Sequence, residues 1–179
     1  MEKIWVFYGK TEALTGRAEE RGAGRMLLKH ALKQLYGFSF PEGEEGLTQL
    51  EGMLTKEQNG KPYLRGYPEI HFNISHSGEY GACALSSVPC GLDIQEIRKI
   101  RSRRLLERVL SEEEMKIVQS HKNMEREFCR FWTRKESFLK LSGEGITRPM
   151  NALEEPEWFE EFLVDQHVLG CVSAYQSCK

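Results

Sequence analysis

"EIHFNISHSGEYGACALSS", residues 69–87, reads as two extended runs meeting at a turn near Gly78. Two strands joined so tightly must run antiparallel, because parallel neighbours need a long crossover. Within the first run Ser75 and His76 stand side by side. That pairing poses a choice among a nucleophile with its base, a phosphate cradle, and a turn that contains a histidine. Strand geometry weighs against the first. Adjacent side chains of an extended chain point to opposite faces, so His76 is badly placed to take a proton from Ser75. A strand end with a hydroxyl, an imidazole, open amides and a glycine suits the binding of phosphate oxygens.

Outward from the hairpin, strands and helices mix. "KIWVFYGK" (3–10) reads as a first strand. From about Arg17 to Tyr36 the residues Met26, Leu27, Leu28, Ala31, Leu32 and Leu35 recur at helical spacing, with Gly37 as a stop. "PEGEEG" (41–46) reads as a polar loop, and "GMLTKEQNGKPYL" (52–64) as a strand, a turn at Asn59-Gly60 and more extended chain. "CGLDIQEI" (90–97) is a further strand, residues 99–109 a basic helical segment, and Ser111 a helix start. A long helix follows from about Met124 to Leu141, ended by Gly143 and Gly145, and the tail from Phe162 is strand material. Strands arriving as hairpins favour α+β over a doubly wound parallel sheet.

The 179 residues suit one domain or two small lobes sharing a core. With 40% hydrophobic and 29% charged residues the composition is that of an ordinary globular chain. A formal charge of −2 gives no bulk attraction for nucleic acid, so any electrostatic function must come from local patches. "IWVFY" (4–8) is too short for the core of a signal peptide, and no run approaches a membrane span. The five cysteines, Cys83, Cys90, Cys129, Cys171 and Cys178, are odd in number and include no C-x-x-C pair. They read as reduced packing residues of a cytoplasmic protein.

Two places carry chemistry. On a wheel of the long helix, Phe128, Phe131, Trp132, Phe138 and Leu139 cluster, Lys135 falls mid-stripe, and Glu136 and Lys140 lie on the edge one turn apart. Burying an unpaired ammonium is costly, so Lys135 needs an explanation. Either it snorkels over the aromatic surface beside a plain Glu136–Lys140 pair, or Lys135 and Lys140 reach a cleft and hold anionic oxygens while Glu136 binds a metal or takes a proton. In "GLDIQ" (91–95) Asp93 stands opposite Leu92 and Ile94. It is either an exposed strand-end carboxylate or a ligand for Mg²⁺, which prefers one or two carboxylates with water and phosphate oxygens.

"GKP" (60–62), "FNISHSG" (72–78), "GLDI" (91–94) and "FWTRKESFLKLSGEG" (131–145), in that order, resemble the Sfp-type 4′-phosphopantetheinyl transferases. The resemblance implies an α+β fold of two similar lobes related by a pseudo-twofold, here 1–88 and 89–179, with coenzyme A in the cleft between them. It implies transfer of the phosphopantetheine arm of coenzyme A to a serine of an apo acyl or peptidyl carrier protein. Mg²⁺ would bridge the pyrophosphate, and adenosine 3′,5′-bisphosphate would leave. Asp93 and Glu136 then look like metal carboxylates, with Glu136 also a base. Lys135 and Lys140 look like pyrophosphate contacts, Lys61 a nucleotide contact and Trp132 a positioning residue. Ser75 and His76 look like coenzyme A contacts, with His76 near the 3′-phosphate, and Arg25 like an N-lobe arginine facing the nucleotide. Glu114 aligns with a metal-site glutamate, yet "SEEE" (111–114) is also a capping box, and both readings stand. A self-contained cleft implies a monomer.

Two departures matter. Many family members carry glutamate where this chain has Gln95, so a third metal carboxylate becomes an amide. The N-terminal basic residues of the family have only Arg17, Arg21 and Arg25 as substitutes. "RKIRSRRLLER" (98–108) is either a solvated helix face or a dock for an acidic carrier protein. Two rival readings stay open. One is a non-catalytic coenzyme A-binding homologue, the other an unrelated α+β interaction module with structural lysines.

Overall fold

The hairpin at 69–87 forms as expected in a computed structural model, which describes residues 3–12, 20–143, 145, 149–154 and 156–175. Strands β4 (His71–Ser77) and β5 (Tyr80–Ser86) pair antiparallel, with Phe72 opposite Leu85 and Ile74 opposite Cys83. Strand β1 (Ile4–Lys10) takes the other edge of β5. A second antiparallel sheet holds β6 (Cys90–Glu96), β8 (Val168–Ala174) and β7 (Trp158–Asp165), in that spatial order. Strands β2 (Leu54–Lys56) and β3 (Pro62–Leu64) form a small ribbon. Every described strand pair is antiparallel, as hairpin connections require.

Each large sheet carries one long helix. Helix α1 (Glu20–Tyr36) lays Leu27, Leu28, Ala31 and Leu32 against Phe72, Cys83 and Leu85. Leu28 and Leu32 are fully buried, and each such side chain contributes about 1.5–3 kcal/mol. Gly24 weakens the helix by propensity, yet packing demands it: a Cβ there would lie 2.2 Å from Ile74 Cγ2. Helix α5 (Met124–Ser142) covers the second sheet. Here the strand supplies the small residue, since a Cβ on Gly91 would lie 1.9 Å from Ser137 O. The glycine of "GLDI" therefore lets the helix backbone sit directly on β6. Helices α3 (Arg103–Val109) and α4 (Glu112–Ser120) close the far side of α5 around Leu106, Val109, Val118, Phe128, Phe131 and Met150.

One loop expectation is corrected. The polar stretch at 41–46 runs into helix α2 (Gly43–Met53), with Glu44 and Glu45 in its first turn and Leu50 buried. Gly43, Gly46 and Gly52 hide it from propensity. Tertiary burial of Leu50 against α1 overrides them. Cys83, Cys90, Cys129 and Cys171 are buried, and among the described residues they form no disulfide. Cys178 and Arg17 lie outside the described residues, as does the side chain of Arg21. No described helix is long and apolar enough to cross a membrane.

The two sheets meet at a seam between β4 and β6. These strands run close together but share no backbone ladder. Side chains do the joining. The amides of Leu92, Ile94 and Glu96 donate to Asn73 Oδ1 at 3.3 Å, Ser75 Oγ at 3.1 Å and Ser77 Oγ at 2.9 Å. The spacing of two in both strands puts all three acceptors on one face and all three donors on one edge. Buried amides that no neighbouring strand can satisfy are thereby paired.

Candidate active site

The site is built on this seam. Ser75 Oγ accepts from Ile94 and donates to Asp93 Oδ1 at 2.9 Å. Lys140, in the last turn of α5, donates to the same Asp93 Oδ1 at 2.7 Å and to Ser75 Oγ at 3.0 Å. Gly143, at φ 71°, ends α5 in the left-handed region just beyond. Asp93 is buried, and its Oδ2 has no hydrogen-bond partner among the described residues. Burial pushes the Asp93 carboxyl above its usual range, while Lys140, Ser75 and His76 pull it back.

Glu136 stands one turn before Lys140 and lines a cleft of about 430 Å³. Lys140, Asn73, Ile74 and the 59–62 turn line it too. Partial burial and the nearby charge of Asp93 raise the Glu136 carboxyl, and Lys140 opposes them. A raised carboxylate beside a cleft is suited to taking a proton.

Lys61 closes the cleft from the β2–β3 turn. Its Nζ donates to Leu141 O at 3.1 Å and lies 3.5 Å from Cys90 O. Leu141 O is among the last carbonyls of α5, where the helix dipole favours a cation. Burial lowers the Lys61 ammonium, with Cys90 and Glu57 opposing. A larger cleft, about 710 Å³, lies beyond Lys61 among Lys56, Tyr63, Tyr67 and Tyr175, but none of Asp93, Glu136 or Lys140 lines it.

The structure thus brings Lys61, Ser75, Asp93, Glu136 and Lys140 together and leaves others apart. Lys135 faces away from the seam. Its ammonium donates to Val109 O at 2.9 Å, Met150 O at 2.9 Å and Glu114 Oε2 at 2.6 Å. It neither snorkels nor reaches the cleft. Glu114 is the N3 residue of the capping box and accepts from Ser111 N at 2.7 Å. Gln95 is half-buried and donates from Nε2 to Glu96 O at 3.3 Å. Arg25 is exposed and paired with Glu51. His76 is exposed on the face opposite Ser75, as strand alternation requires. Trp132 packs against Phe128.

Asn73 is the site residue that motif reading passed over. It both lines the cleft and holds Leu92 N. The signal was there in the alternation of Asn73, Ser75 and Ser77, three polar side chains that are all buried in this strand. Polar residues repeating every second position point to a partner strand that lacks a ladder.

A profile described as "4'-phosphopantetheinyl transferase superfamily" matches residues 89–167. The chain is 35% identical over 126 residues to 4'-phosphopantetheinyl transferase psf-1 of Bacillus pumilus, covering 69% of this chain and 50% of that protein. It is 33% identical over 153 residues to a 4'-phosphopantetheinyl transferase of Bacillus subtilis, covering 84% of this chain and 62% of that one. To 4'-phosphopantetheinyl transferase Sfp of Bacillus subtilis strain 168 it is 36% identical over 98 residues, which is 54% of this chain and 43% of that protein. The match to these relatives therefore spans about half of their length, from 43% to 62%.

Proposed function

Through residues 89–167 the chain belongs to the 4′-phosphopantetheinyl transferase superfamily, and from that premise we propose that it moves the phosphopantetheine arm of coenzyme A onto a serine hydroxyl of an apo acyl or peptidyl carrier protein. The observation that carries the reading is the meeting of Asp93 and Lys140 on Ser75 beside Glu136, at the edge of one cleft. In the proposed reaction the serine oxygen attacks the β-phosphorus of coenzyme A. The bond from that phosphorus to the bridging oxygen breaks, and adenosine 3′,5′-bisphosphate leaves with the electron pair. Glu136 takes the serine proton, directly or through a water. Lys140 and Lys61 stabilise the charge that grows on the phosphates. Ser75 holds Asp93 and Lys140 in register, while His76, outside the seam, meets the 3′-phosphate.

The residues present fit Mg²⁺. Asp93 offers a buried oxygen that no described residue donates to, and Glu136 a second carboxylate near it. Among the described residues no three acidic, histidine or cysteine side chains converge. Two carboxylates completed by phosphate oxygens and water are what this ion accepts. Bound there, Mg²⁺ would neutralise charge on the pyrophosphate. Gln95 adds at most a neutral oxygen, and Glu114, held by Ser111 and Lys135, is left out of the set.

In this reading the sheet carrying α1 and the sheet carrying α5 are two lobes of a cytoplasmic monomer, divided near residue 88 and related by a pseudo-twofold. The exposed arginines of α3, Arg103, Arg104 and Arg108, are the dock for an acidic carrier. Incubation with coenzyme A, Mg²⁺ and several apo carrier proteins tests the proposal by mass spectrometry. A carrier that gains the mass of the phosphopantetheine arm supports it. Coenzyme A binding without any gain would turn the reading to a non-catalytic homologue.

A further inference from the structure

Lys135 sits next to Glu136 in sequence and has no part in the cleft. An ammonium has three N–H donors, and here all three are used by Val109 O, Met150 O and Glu114 Oε2. The side chain is 7% exposed. Contact with a phosphate would require breaking this set and stranding a carboxylate, which is costly in a buried site.

The three acceptors belong to three different segments. Val109 O ends α3, Glu114 opens α4, and Met150 O belongs to the short turn Met150–Ala152. Asn151 of that turn adds a bond from Nδ2 to Glu107 O at 2.8 Å. Helix α3 has only seven residues, too few to be stable alone. Its final carbonyls have no partners within the helix. Lys135 from α5 and Asn151 supply partners for two of them, Val109 O and Glu107 O. Leu106 and Val109 face inward, and Arg103, Arg104 and Arg108 outward. The helix that carries those arginines is thus bonded at its C-terminal end to the helix that carries Glu136 and Lys140.

We infer that Lys135, with Glu114, is a positioning residue that fixes the basic helix α3 against α5, so that a carrier docked on the arginines presents its serine at the cleft. The carrier half of this inference rests on the function proposed above. Lys135 acts through α3 and touches no substrate.

The test compares wild type, Lys135→Met and the double variant Glu114→Gln/Lys135→Met. The double variant removes both charges from the buried site, and the amide oxygen of the introduced glutamine can still accept from Ser111 N. It should regain most of the melting temperature that Lys135→Met loses. Three readouts then follow in the double variant. Amide hydrogen exchange over 103–109 should quicken while that over 136–140 stays as in wild type. KM for the carrier should rise about tenfold, since small misplacements cost at least that much. The Kd for coenzyme A should not change. A tenfold weaker coenzyme A affinity would place Lys135 on the phosphates and overturn the inference. So would wild-type exchange over 103–109, or a wild-type carrier KM once the melting temperature is restored. If wild type itself transfers nothing, the proposed function fails separately, and the exchange measurement still decides whether Lys135 positions α3.

Discussion

Lys135 and Lys140 stand five positions apart on α5 and serve opposite environments. Lys135 enters the layer between α5 and α3–α4 and finds two backbone carbonyls and one carboxylate, all within 2.9 Å. Lys140 enters the seam between two sheets, binds Asp93 and Ser75, and keeps 31% of its side chain exposed at a cleft. A saturated, closed lysine organises structure. A lysine shared between a buried carboxylate and an open cleft can answer an incoming anion. Both lysines ride on the same helix, so what lies opposite each one makes the difference.

The sharpest way to break this contrast is to remove each ammonium. Lys135→Met leaves Glu114 without its cation and should cost about 3–5 kcal/mol of stability, read as a lower urea midpoint. Lys140→Met should lower the midpoint far less and reduce kcat by about 10²–10³-fold. If both variants lose stability equally with kcat intact, the two lysines do the same job and the contrast fails. Next in size is the seam itself. Ser75→Ala leaves Ile94 N without its acceptor and Asp93 Oδ1 with Lys140 but not Ser75 as a donor, at about 1–3 kcal/mol, and should lower both stability and activity because both sheets lose their shared hydroxyl.

A pH experiment separates the contact of α5 with β7 from both lysines. Burial pushes Glu161 of β7 up, but hydrogen bonds and charge from Arg134 and Arg130 win and hold it below its ordinary 4.5. A depressed carboxyl contributes stability that is complete above the unfolded value and is lost as pH falls through the folded one. Glu161→Gln should therefore flatten the acid limb of the stability curve below about pH 4.5 and leave it unchanged at pH 7 and above apart from a constant offset. An unaltered acid limb would place the sensitivity elsewhere. Smallest is charge reversal at Arg103 and Arg104. Both are exposed, and Arg103 pairs with Glu107 at 2.9 Å. Reversal should leave melting within about 0.5 kcal/mol and reduce carrier association at low salt, with coenzyme A binding unchanged.

How far the chain could be read before folding differs from residue to residue. The hairpin at Gly78 and the capping box at Ser111 and Glu114 depend on neighbours in sequence and were legible there. So was the company of Asp93, Glu136 and Lys140, through ordered motifs. Helix α2 was not legible, because three glycines mask a helix that exists by burying Leu50 against α1. The purpose of Gly91 was hidden too, since only the approach of Ser137 O to 1.9 Å from its missing Cβ explains it.

Helical periodicity placed Lys135 in the middle of a buried stripe and left open what it would meet there. Local order along the chain determined which elements form, where they are capped and which residue types they carry, because hydrogen bonds and steric preferences act over a few positions. The division between a sealed lysine and an available one was settled only by the tertiary structure. It depends on Val109, Glu114 and Met150 arriving from 15 to 26 positions away, and on a strand 47 positions away carrying Asp93 to Lys140. Charge in a protein interior is governed by the partners that packing delivers, and those partners are distant in sequence.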